Sequence, residues 1–176
     1  MNYAALKKTD VANGPGIRVS LFVSGCTHAC KGCFNSEAWD FSYGEPFTEE
    51  VGEEVLKALS HDYIRGFSVL GGEPMEPANR GEVLALLHRI KAAYPEKTIW
   101  CYTGYDYEKD LLRWAAEGDK TVAGLLELID VLVDGEFVEE KRDLRLAFRG
   151  SENQRLIDLK ATKRAGHVIC LPGERS

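Results

Sequence analysis

Three cysteines lie within eight residues of one another in this chain. Cys26, Cys30 and Cys33 follow the spacing CxxxCxxC, directly after an apolar segment that is typical of a buried strand. Three thiolates can bind three irons of a four-iron cluster and leave the fourth iron without a protein ligand. A metal position without a protein ligand is where a substrate or cosubstrate binds, so the spacing favours a catalytic centre over a closed structural site.

Two other interpretations fit the same spacing. A structural zinc ion takes four protein ligands, so Cys101, Cys170 or His28 would have to supply the fourth. The sequence has no second CxxC pair, which makes zinc less favoured than an iron–sulfur cluster. His28 as a fourth ligand would close the open iron, and Cys101 lies in an apolar stretch where a free cysteine packs as a small hydrophobe. Thiols that bind no metal are the remaining interpretation.

The bulk composition fits one soluble domain. The chain has 176 residues, of which 44% are hydrophobic and 28% are charged, and its formal net charge is −6. Nucleic-acid binders present a basic face, so no nucleic-acid partner is expected. No stretch is long and apolar enough to span a bilayer, and the first residues lack the apolar core of an export signal. We therefore expect a cytoplasmic protein without a membrane partner, whose clustered cysteines bind metal rather than form disulfides.

Strand-like and helix-like segments alternate along the chain. Residues 17–23 are rich in β-branched side chains and predict a buried strand. Residues 49–59 carry apolar side chains at helical spacing after Thr48, which can cap the helix. We expect a domain at 1–160 and a C-terminal tail at 161–176. The same criteria predict further strands at 67–70, 98–102 and 131–133, and further helices at 80–93, 107–116 and 122–128.

The alternation of strand, loop and helix is typical of an α/β fold with parallel strands. A closed eight-unit barrel needs about 250 residues, so we expect a partial, open (β/α) barrel. In such sheets ligands bind at the carboxyl ends of the strands. The polar and glycine-rich segments that follow predicted strands should therefore meet at one site: 26–33, 71–74, 103–105 and 134–135.

A glycine-rich turn after the second predicted strand strengthens the iron–sulfur interpretation. Together, the CxxxCxxC loop and Gly71-Gly72-Glu73-Pro74 resemble the radical S-adenosylmethionine superfamily. The resemblance implies a partial barrel of that superfamily's type and a [4Fe-4S] cluster whose open iron is chelated by the methionine moiety of S-adenosyl-L-methionine. It also implies that 71–74 approaches the methionyl ammonium. The residue types agree, because glycines let backbone come close and carbonyl or carboxylate oxygens accept from an ammonium.

Segments at both ends narrow the resemblance to one branch. Residues 13–18, Asn-Gly-Pro-Gly-Ile-Arg, resemble the start of glycyl-radical-enzyme activases. The segments 100–105, 130–137 and 149–154, the last reading RGSENQ, resemble activating proteins of anaerobic (class III) ribonucleotide reductase. The branch implies that a 5′-deoxyadenosyl radical removes a Cα hydrogen from a glycine of the large subunit of anaerobic ribonucleoside-triphosphate reductase. It also implies a flavodoxin- or ferredoxin-like electron donor and is compatible with a homodimer.

Each motif assigns candidate roles to its residues. The three cysteines are the metal ligands, and no acid or base is nominated because the cluster and the cosubstrate carry the chemistry. Phe34 follows Cys33 directly and is expected to shield the cluster. The resemblance implies that Thr103 and Asp134 line a monovalent-cation site. The expected cofactor contacts are His28, Phe34, Gly71, Gly72, Glu73, Pro74, Thr103 and Asp134, and the expected partner contacts are Asn13, Gly14, Pro15 and Gly16.

One position departs from the family pattern. Related activases often carry a lysine two positions after the residue that matches Asp134, and here that position holds Glu136. A carboxylate cannot donate to the carboxylate of methionine unless it is protonated. Another cation is therefore expected near the cosubstrate, with Arg18, Arg149 and Lys141 as the candidates.

Two other functions stay open at the level of sequence. The first is a radical enzyme that acts on another glycyl radical enzyme or on a small molecule, such as a pterin-like or deazapurine ring. The second is a non-enzymatic metal protein, either a zinc module or an electron carrier. An electron carrier would require a fully ligated cluster, and activases of other glycyl radical enzymes often carry inserted ferredoxin-like cysteine sets that this sequence lacks. Both observations favour the reductase activator.

Overall fold

A computed structural model describes residues 1–172 of the chain. The strands are β1 (Asn2–Asp10), β2 (Ile17–Val23), β3 (Glu45–Pro46), β4 (Ile64–Gly71), β5 (Thr98–Tyr102), β6 (Val131–Asp134) and β7 (Arg155–Asp158). The α-helices are α1 (Glu49–Leu59), α2 (Pro77–Ala93), α3 (Arg113–Ala116), α4 (Lys120–Leu128) and α5 (Leu159–Ala165). A π-helical segment (Tyr107–Leu112) leads into α3, and short 3₁₀ turns lie at Ser36–Trp39 and Glu139–Lys141.

The seven strands form one sheet in the order β3-β1-β2-β4-β5-β6-β7. The central strands β2, β4, β5 and β6 are parallel. Antiparallel strands flank them, since β1 pairs with β2 on one side and β7 pairs with β6 on the other. Within residues 1–172 the edge strands β3 and β7 do not pair with each other, so the sheet is open. These features confirm an α/β protein with an unclosed sheet that contains parallel strands.

The predicted strands and helices lie at or inside observed elements. α1 begins and ends at the predicted residues, and the hydroxyl of Thr48 accepts a hydrogen bond from Val51 N at 3.4 Å. α2 begins three residues earlier than predicted because Pro77 occupies its first turn, where proline's missing N–H needs no partner. The sequence patterns did not predict β1, whose mostly half-exposed residues give little of the apolar alternation of a strand.

The C-terminal residues return to the edge of the sheet. Residues 161–165 belong to α5. Beyond that helix, Ile169 O accepts from the backbone N–H of Asp158 at 2.9 Å, and the N–H of Leu171 donates to Leu156 O at 2.7 Å. The chain up to residue 172 therefore runs beside β7, and the division into a domain and a tail at residue 160 stays a prediction.

Alternate residues of the central strands face two different environments. In β5, Ile99 and Cys101 lie in the main core between the sheet and the helices. Trp100 lies in a second apolar cluster on the opposite face, together with Val133, and Tyr102 packs against it. This opposite face leaves room for a ligand at the strand ends. None of the helices between residues 1 and 172 is long and apolar enough to cross a bilayer.

A buried arginine joins three strands beneath the second apolar cluster. Arg18 is fully buried, and its guanidinium donates to Ser68 Oγ at 2.9 Å and to Thr98 Oγ1 at 3.0 Å. It also donates to the carbonyls of Phe67 and Thr98, both at 2.9 Å. Burial lowers the pKa of Arg18 to about 10. Because its donors are committed to protein acceptors, Arg18 is a structural residue and not the cation expected near the cosubstrate.

Replacing Arg18 with methionine should destabilise the sheet. The change leaves the Phe67 and Thr98 carbonyls without their donors in a buried setting, and we expect the free energy of unfolding to fall by about 2–4 kcal/mol. Urea denaturation followed by circular dichroism measures this loss. Arg164→Met is the matched control, because Arg164 is exposed near the end of α5. Equal unfolding free energies for the two variants would contradict the structural role of Arg18.

Candidate metal centre and cosubstrate cavity

A cavity of about 440 Å³ opens at the carboxyl ends of the parallel strands. The last residues of these strands and the loops that follow them form its wall, as the topology predicts. The sequence-predicted residues that line it are Asn13, Cys26, His28, Cys30, Cys33, Phe34, Gly71, Gly72, Glu73 and Thr103. The predicted residues outside its wall are Gly14, Pro15, Gly16, Pro74 and Asp134.

The cysteine loop is held in place by its own backbone. The N–H of Gly25 donates to Ala38 O at 2.7 Å, and the N–H of Cys26 donates to Trp39 O at 3.1 Å. The three thiols of the motif are partly exposed and form no disulfide. Among residues 1–172, no three side chains of the metal-binding types already form a site for a single ion. A four-iron cluster does not need that convergence, because each thiolate binds a different iron.

Burial makes two thiols of the loop weak acids. It raises the pKa of Cys26 to about 11, and the charge of Glu73 adds to the effect. Burial and the charge of Glu136 also raise the pKa of Cys30. At neutral pH both thiols therefore carry their protons, and metal binding must displace them, since iron binds the thiolate.

The carboxylate of Glu73 is the point at which the loops after β2, β4 and β5 meet. Its Oε1 accepts from Met75 N and from Thr103 Oγ1, both at 2.8 Å. Its Oε2 accepts from Gly104 N at 2.7 Å and lies 2.9 Å from His28 Nε2. Only 1% of Glu73 is exposed. Because both oxygens are engaged, the side chain of Glu73 holds the loops together.

His28 links the cysteine loop to the loops that follow β4 and β6. Its Nε2 faces Glu73, and its Nδ1 lies 2.9 Å from Glu136 Oε1. Because both partners are carboxylates, both ring nitrogens must donate, and His28 is an imidazolium. The hydrogen bond to Glu73 raises the pKa of His28 to about 9, against the burial that would lower it. Glu136 thus forms a second ion pair with His28, on the side away from Glu73.

Gly71 and Gly72 let the glycine-rich turn touch the cysteine loop. A Cβ at Gly71, whose φ is +108°, would lie 2.6 Å from Val23 O, and a Cβ at Gly72 would lie 2.6 Å from Gly25 O. At this short separation the two backbone segments are hydrogen-bonded to each other. Gly72 N donates to Val23 O and Glu73 N donates to Gly25 O, both at 2.8 Å. Close backbone packing therefore explains why both positions hold glycine.

The carboxylate of Asp134 is engaged in an ion pair outside the cavity wall. It accepts from Arg155 Nε at 2.9 Å and Nη2 at 2.6 Å, and from Tyr107 N at 2.9 Å. The hydrogen bond with Asp134 raises the pKa of Arg155. Thr103 does line the cavity, but its hydroxyl donates to Glu73. The role of Thr103 and Asp134 in binding a monovalent cation stays a prediction.

The RGSENQ segment is hydrogen-bonded to the loop that follows β6. The side-chain oxygen of Gln154 accepts from the N–H groups of Gly150 and Ser151, at 2.9 and 3.1 Å. The amide nitrogen of Gln154 donates to Gly135 O at 3.0 Å. These bonds explain the amide at the end of the motif, and they fix its first residues in the cavity wall.

Some residues of the cavity wall carry little signal in the sequence. Tyr102 ends β5, and the alternation along the strand places it on the same face as Trp100. Of the three cations considered from the sequence, Arg149 lines the cavity, whereas Arg18 and Lys141 do not. The apolar wall residues that belong to none of the motifs are Ala12, Phe22, Trp39, Leu70, Leu144, Leu146 and Phe148.

The NGPG turn contributes Asn13 to one side of the cavity. The carbonyl of Asn13 accepts from Ser68 Oγ at 2.6 Å. Gly14 has a φ of +125°, and a Cβ there would lie 2.8 Å from the side chain of Arg18. The turn is therefore fixed by packing, and its role in binding a partner stays a prediction.

Phe34 covers one side of the cysteine loop. It is 60% exposed, and its ring packs against Phe137 with the centroids 5.1 Å apart. The guanidinium of Arg142 lies 5.2 Å from the centroid of the same ring. Phe34 lines the cavity directly after Cys33, which agrees with a shield over a bound cluster, although this role stays a prediction.

Comparison with known proteins agrees with this geometry. A family model described as a 4Fe-4S single cluster domain matches residues 12–157. A protein of Vibrio cholerae is 46% identical over 88% of this chain and 96% of its own length. Relatives from Escherichia coli K12 and Enterobacteria phage T4 are each 40% identical, over 88% and 89% of this chain and 96% and 93% of their own lengths. All three are named anaerobic ribonucleoside-triphosphate reductase-activating protein.

The cysteine-lined cavity and the family match place the chain among proteins with a single 4Fe-4S cluster domain. The match favours the iron–sulfur interpretation of the cysteine loop over zinc. The relatives, matched over nearly their full lengths, define the group more closely. The chain belongs to the family of anaerobic ribonucleoside-triphosphate reductase-activating proteins.

Replacing His28 with alanine should destabilise the metal-free protein. It leaves the buried Glu73 carboxylate without its cationic partner, and breaking a buried pair costs about 3–5 kcal/mol. Glu136→Gln is the control, because its carboxylate is half exposed and an exposed pair contributes less than about 1 kcal/mol. Urea denaturation compares the two variants. If His28→Ala costs no more than Glu136→Gln, His28 does not hold the loops together.

Replacing Gly72 with alanine should displace the cysteine loop. The new Cβ would press on Gly25 O, and such overpacking costs about 1–3 kcal/mol. We expect less iron per chain after anaerobic reconstitution and a lower unfolding free energy. Gly81→Ala is the matched control, since no atom lies within 4 Å of a Cβ there, and alanine should stabilise the helix by up to about 1 kcal/mol. Normal iron content in Gly72→Ala would show that the close contact is dispensable.

Proposed function

We propose that this protein activates anaerobic ribonucleoside-triphosphate reductase by forming a glycyl radical on it. The observation that carries the proposal is the meeting of three thiols and the glycine-rich turn in one cavity at the strand ends. The shared name of the relatives supports the same activity. The open sheet with its parallel centre supports a partial (β/α) barrel of the radical S-adenosylmethionine type.

The cysteine loop fits a [4Fe-4S] cluster with one open iron. Cys26, Cys30 and Cys33 line the cavity, so an iron that they leave without a ligand would face the space where a cosubstrate binds. When bound and reduced, the cluster would supply one electron to split S-adenosylmethionine into methionine and a 5′-deoxyadenosyl radical. One hydrogen atom would then pass from the Cα of the target glycine to this radical, which would give 5′-deoxyadenosine and the glycyl radical.

The cavity suits one molecule of the cosubstrate. Its volume of about 440 Å³ lies within the range of about 300–1,000 Å³ that is usual for small-ligand sites. The carbonyls of Gly71 and Gly72 are the groups we infer to accept from the methionyl ammonium. Glu73 stays paired with His28 and holds the glycine-rich turn in position. The apolar side chains of the wall limit the access of water to a reactive radical.

A protein substrate has to reach into this cavity. The exposed apolar residues Val11 and Leu144, which are 70% and 78% exposed, lie beside or within its wall. They offer contacts to an inserted loop of the reductase, next to the predicted partner contact Asn13. Glycine suits hydrogen abstraction because no Cβ blocks the approach to its Cα.

The reaction consumes one electron for each radical formed, so an external donor is required. We infer a flavodoxin- or ferredoxin-like protein as the donor and the cytoplasm as the location. A homodimer and a monovalent cation at the site stay predictions.

Anaerobic electron paramagnetic resonance tests the proposed function. The reconstituted, reduced protein is mixed with S-adenosylmethionine and the reductase of the same organism, and we expect a glycyl doublet together with 5′-deoxyadenosine. Cys26→Ala should abolish both products. Cys170→Ala is the control and should retain both, because Cys170 is an exposed thiol outside the cavity.

Two results would contradict the proposal in different ways. 5′-Deoxyadenosine without a glycyl doublet would mean that the cluster chemistry is right and that the reductase is not the substrate. If neither product forms and the purified protein holds zinc, the assignment of an iron–sulfur cluster to the cysteine loop is wrong.

A further inference from the structure

Two polar atoms in the cavity wall have no hydrogen-bond partner among residues 1–172. They are Nε of Arg149 and the hydroxyl oxygen of Tyr102, and both are shielded from solvent. Buried polar groups in folded proteins are nearly always hydrogen-bonded. Both side chains line the cavity, so a ligand that fills it lies against them.

Arg149 also places a positive charge on the wall that forms no ion pair with a described carboxylate. The acidic groups of the wall are already paired, since Glu73 lies against His28 and Asp143 accepts from Arg145. Arg149 forms no ion pair within the part of the chain that the structure describes. The cavity therefore presents a guanidinium suited to an anionic ligand.

The backbone on both sides of Arg149 is fixed. Phe148, which has a φ of +60°, packs edge-on against Trp100 with the ring centroids 5.4 Å apart. On the other side, Gly150 N donates to the side chain of Gln154. Little conformational freedom of this backbone would be lost when a ligand binds, which favours a built site.

We propose that Arg149 binds the carboxylate of the methionine moiety of S-adenosylmethionine. This inference rests on the proposed function, which makes S-adenosylmethionine the cosubstrate. A guanidinium binds a carboxylate through two parallel hydrogen bonds, and the cosubstrate carries one carboxylate, beside the ammonium assigned to the glycine-rich turn.

The other cations near the site do not fit this role. The donors of Arg18 are used by Ser68, Thr98 and Phe67. Lys141 is exposed and does not line the cavity. Lys7 lines it but is exposed, and its ammonium lies 5.1 Å from the ring centroid of Phe22.

Ligand binding, measured without the reductase, tests the assignment. Equilibrium dialysis of the cluster-reconstituted protein gives dissociation constants for S-adenosylmethionine and for its decarboxylated analogue. For Arg149→Met we expect S-adenosylmethionine to bind about 30-fold more weakly, as for the loss of charged hydrogen bonds. The analogue, which lacks the carboxylate, should bind the variant and the unmodified protein with affinities that agree within about threefold.

Two further variants separate charge and geometry from general damage. Arg149→Lys keeps the charge but cannot form two parallel hydrogen bonds to one carboxylate. Its affinity for S-adenosylmethionine should therefore lie between those of Arg149→Met and the unmodified protein. Lys141→Met removes a nearby exposed charge and should leave both affinities unchanged. Thermal unfolding of each variant confirms that it is folded before binding is compared.

Each contrary outcome has a distinct meaning. If Arg149→Met weakens both ligands equally, Arg149 maintains the shape of the cavity and the assignment is wrong. If it binds both normally but no glycyl radical forms with the reductase, Arg149 faces the protein substrate, and the assignment is again wrong. If the unmodified, reconstituted protein does not bind S-adenosylmethionine, the proposed function itself fails.

Discussion

The buried carboxylate of Glu73 sets the arrangement of the whole site. An ionised group taken out of water is stable only when it is paired and hydrogen-bonded, and Glu73 meets this condition through Met75 of its own loop and through two other loops. Thr103 and Gly104 donate from the loop after β5, and His28 donates from the cysteine loop. Through Glu136, His28 extends the connection to the loop after β6. The position of the thiols over the cavity follows from this shared requirement.

Most charges around the cavity hold its walls together, whereas the guanidinium of Arg149 is available to a ligand. Glu73, His28, Arg18 and Asp134 are all committed to contacts within the protein. The RGSENQ segment uses its amide side chain to fix the wall, and Arg149 at its start faces the cavity without a partner among residues 1–172. A cavity of this kind suits a ligand with one carboxylate, and in the proposed function the metal and the cosubstrate supply the chemistry that the side chains do not.

Sequence patterns predicted the part of the fold that follows local rules. The four central strands and α1 have clear apolar periodicity, and the strand-end rule predicted that 26–33, 71–74 and 103–105 would meet. His28 pairs with Glu73 and Glu136, which lie 45 and 108 positions away in the sequence. A pattern of neighbouring residues cannot predict a bond over such a separation. The ion pair between Asp134 and Arg155 was missed for the same reason. The strand β1 was missed because its half-exposed residues do not alternate clearly between apolar and polar. Sequence patterns also do not show which side chains face the cavity, so the sequence could name Arg149 only as one of three candidate cations near the cosubstrate.

Mössbauer spectroscopy of protein reconstituted with the Mössbauer-active iron isotope tests the central claim most directly. The claim is that the convergence on Glu73 presents three thiolates and one open iron to a cosubstrate cavity. The account predicts that S-adenosylmethionine changes the isomer shift of one iron of the cluster and leaves the other three irons unchanged. Four irons that are indifferent to S-adenosylmethionine would contradict it, because every iron would then be fully ligated by the protein or closed to the cavity.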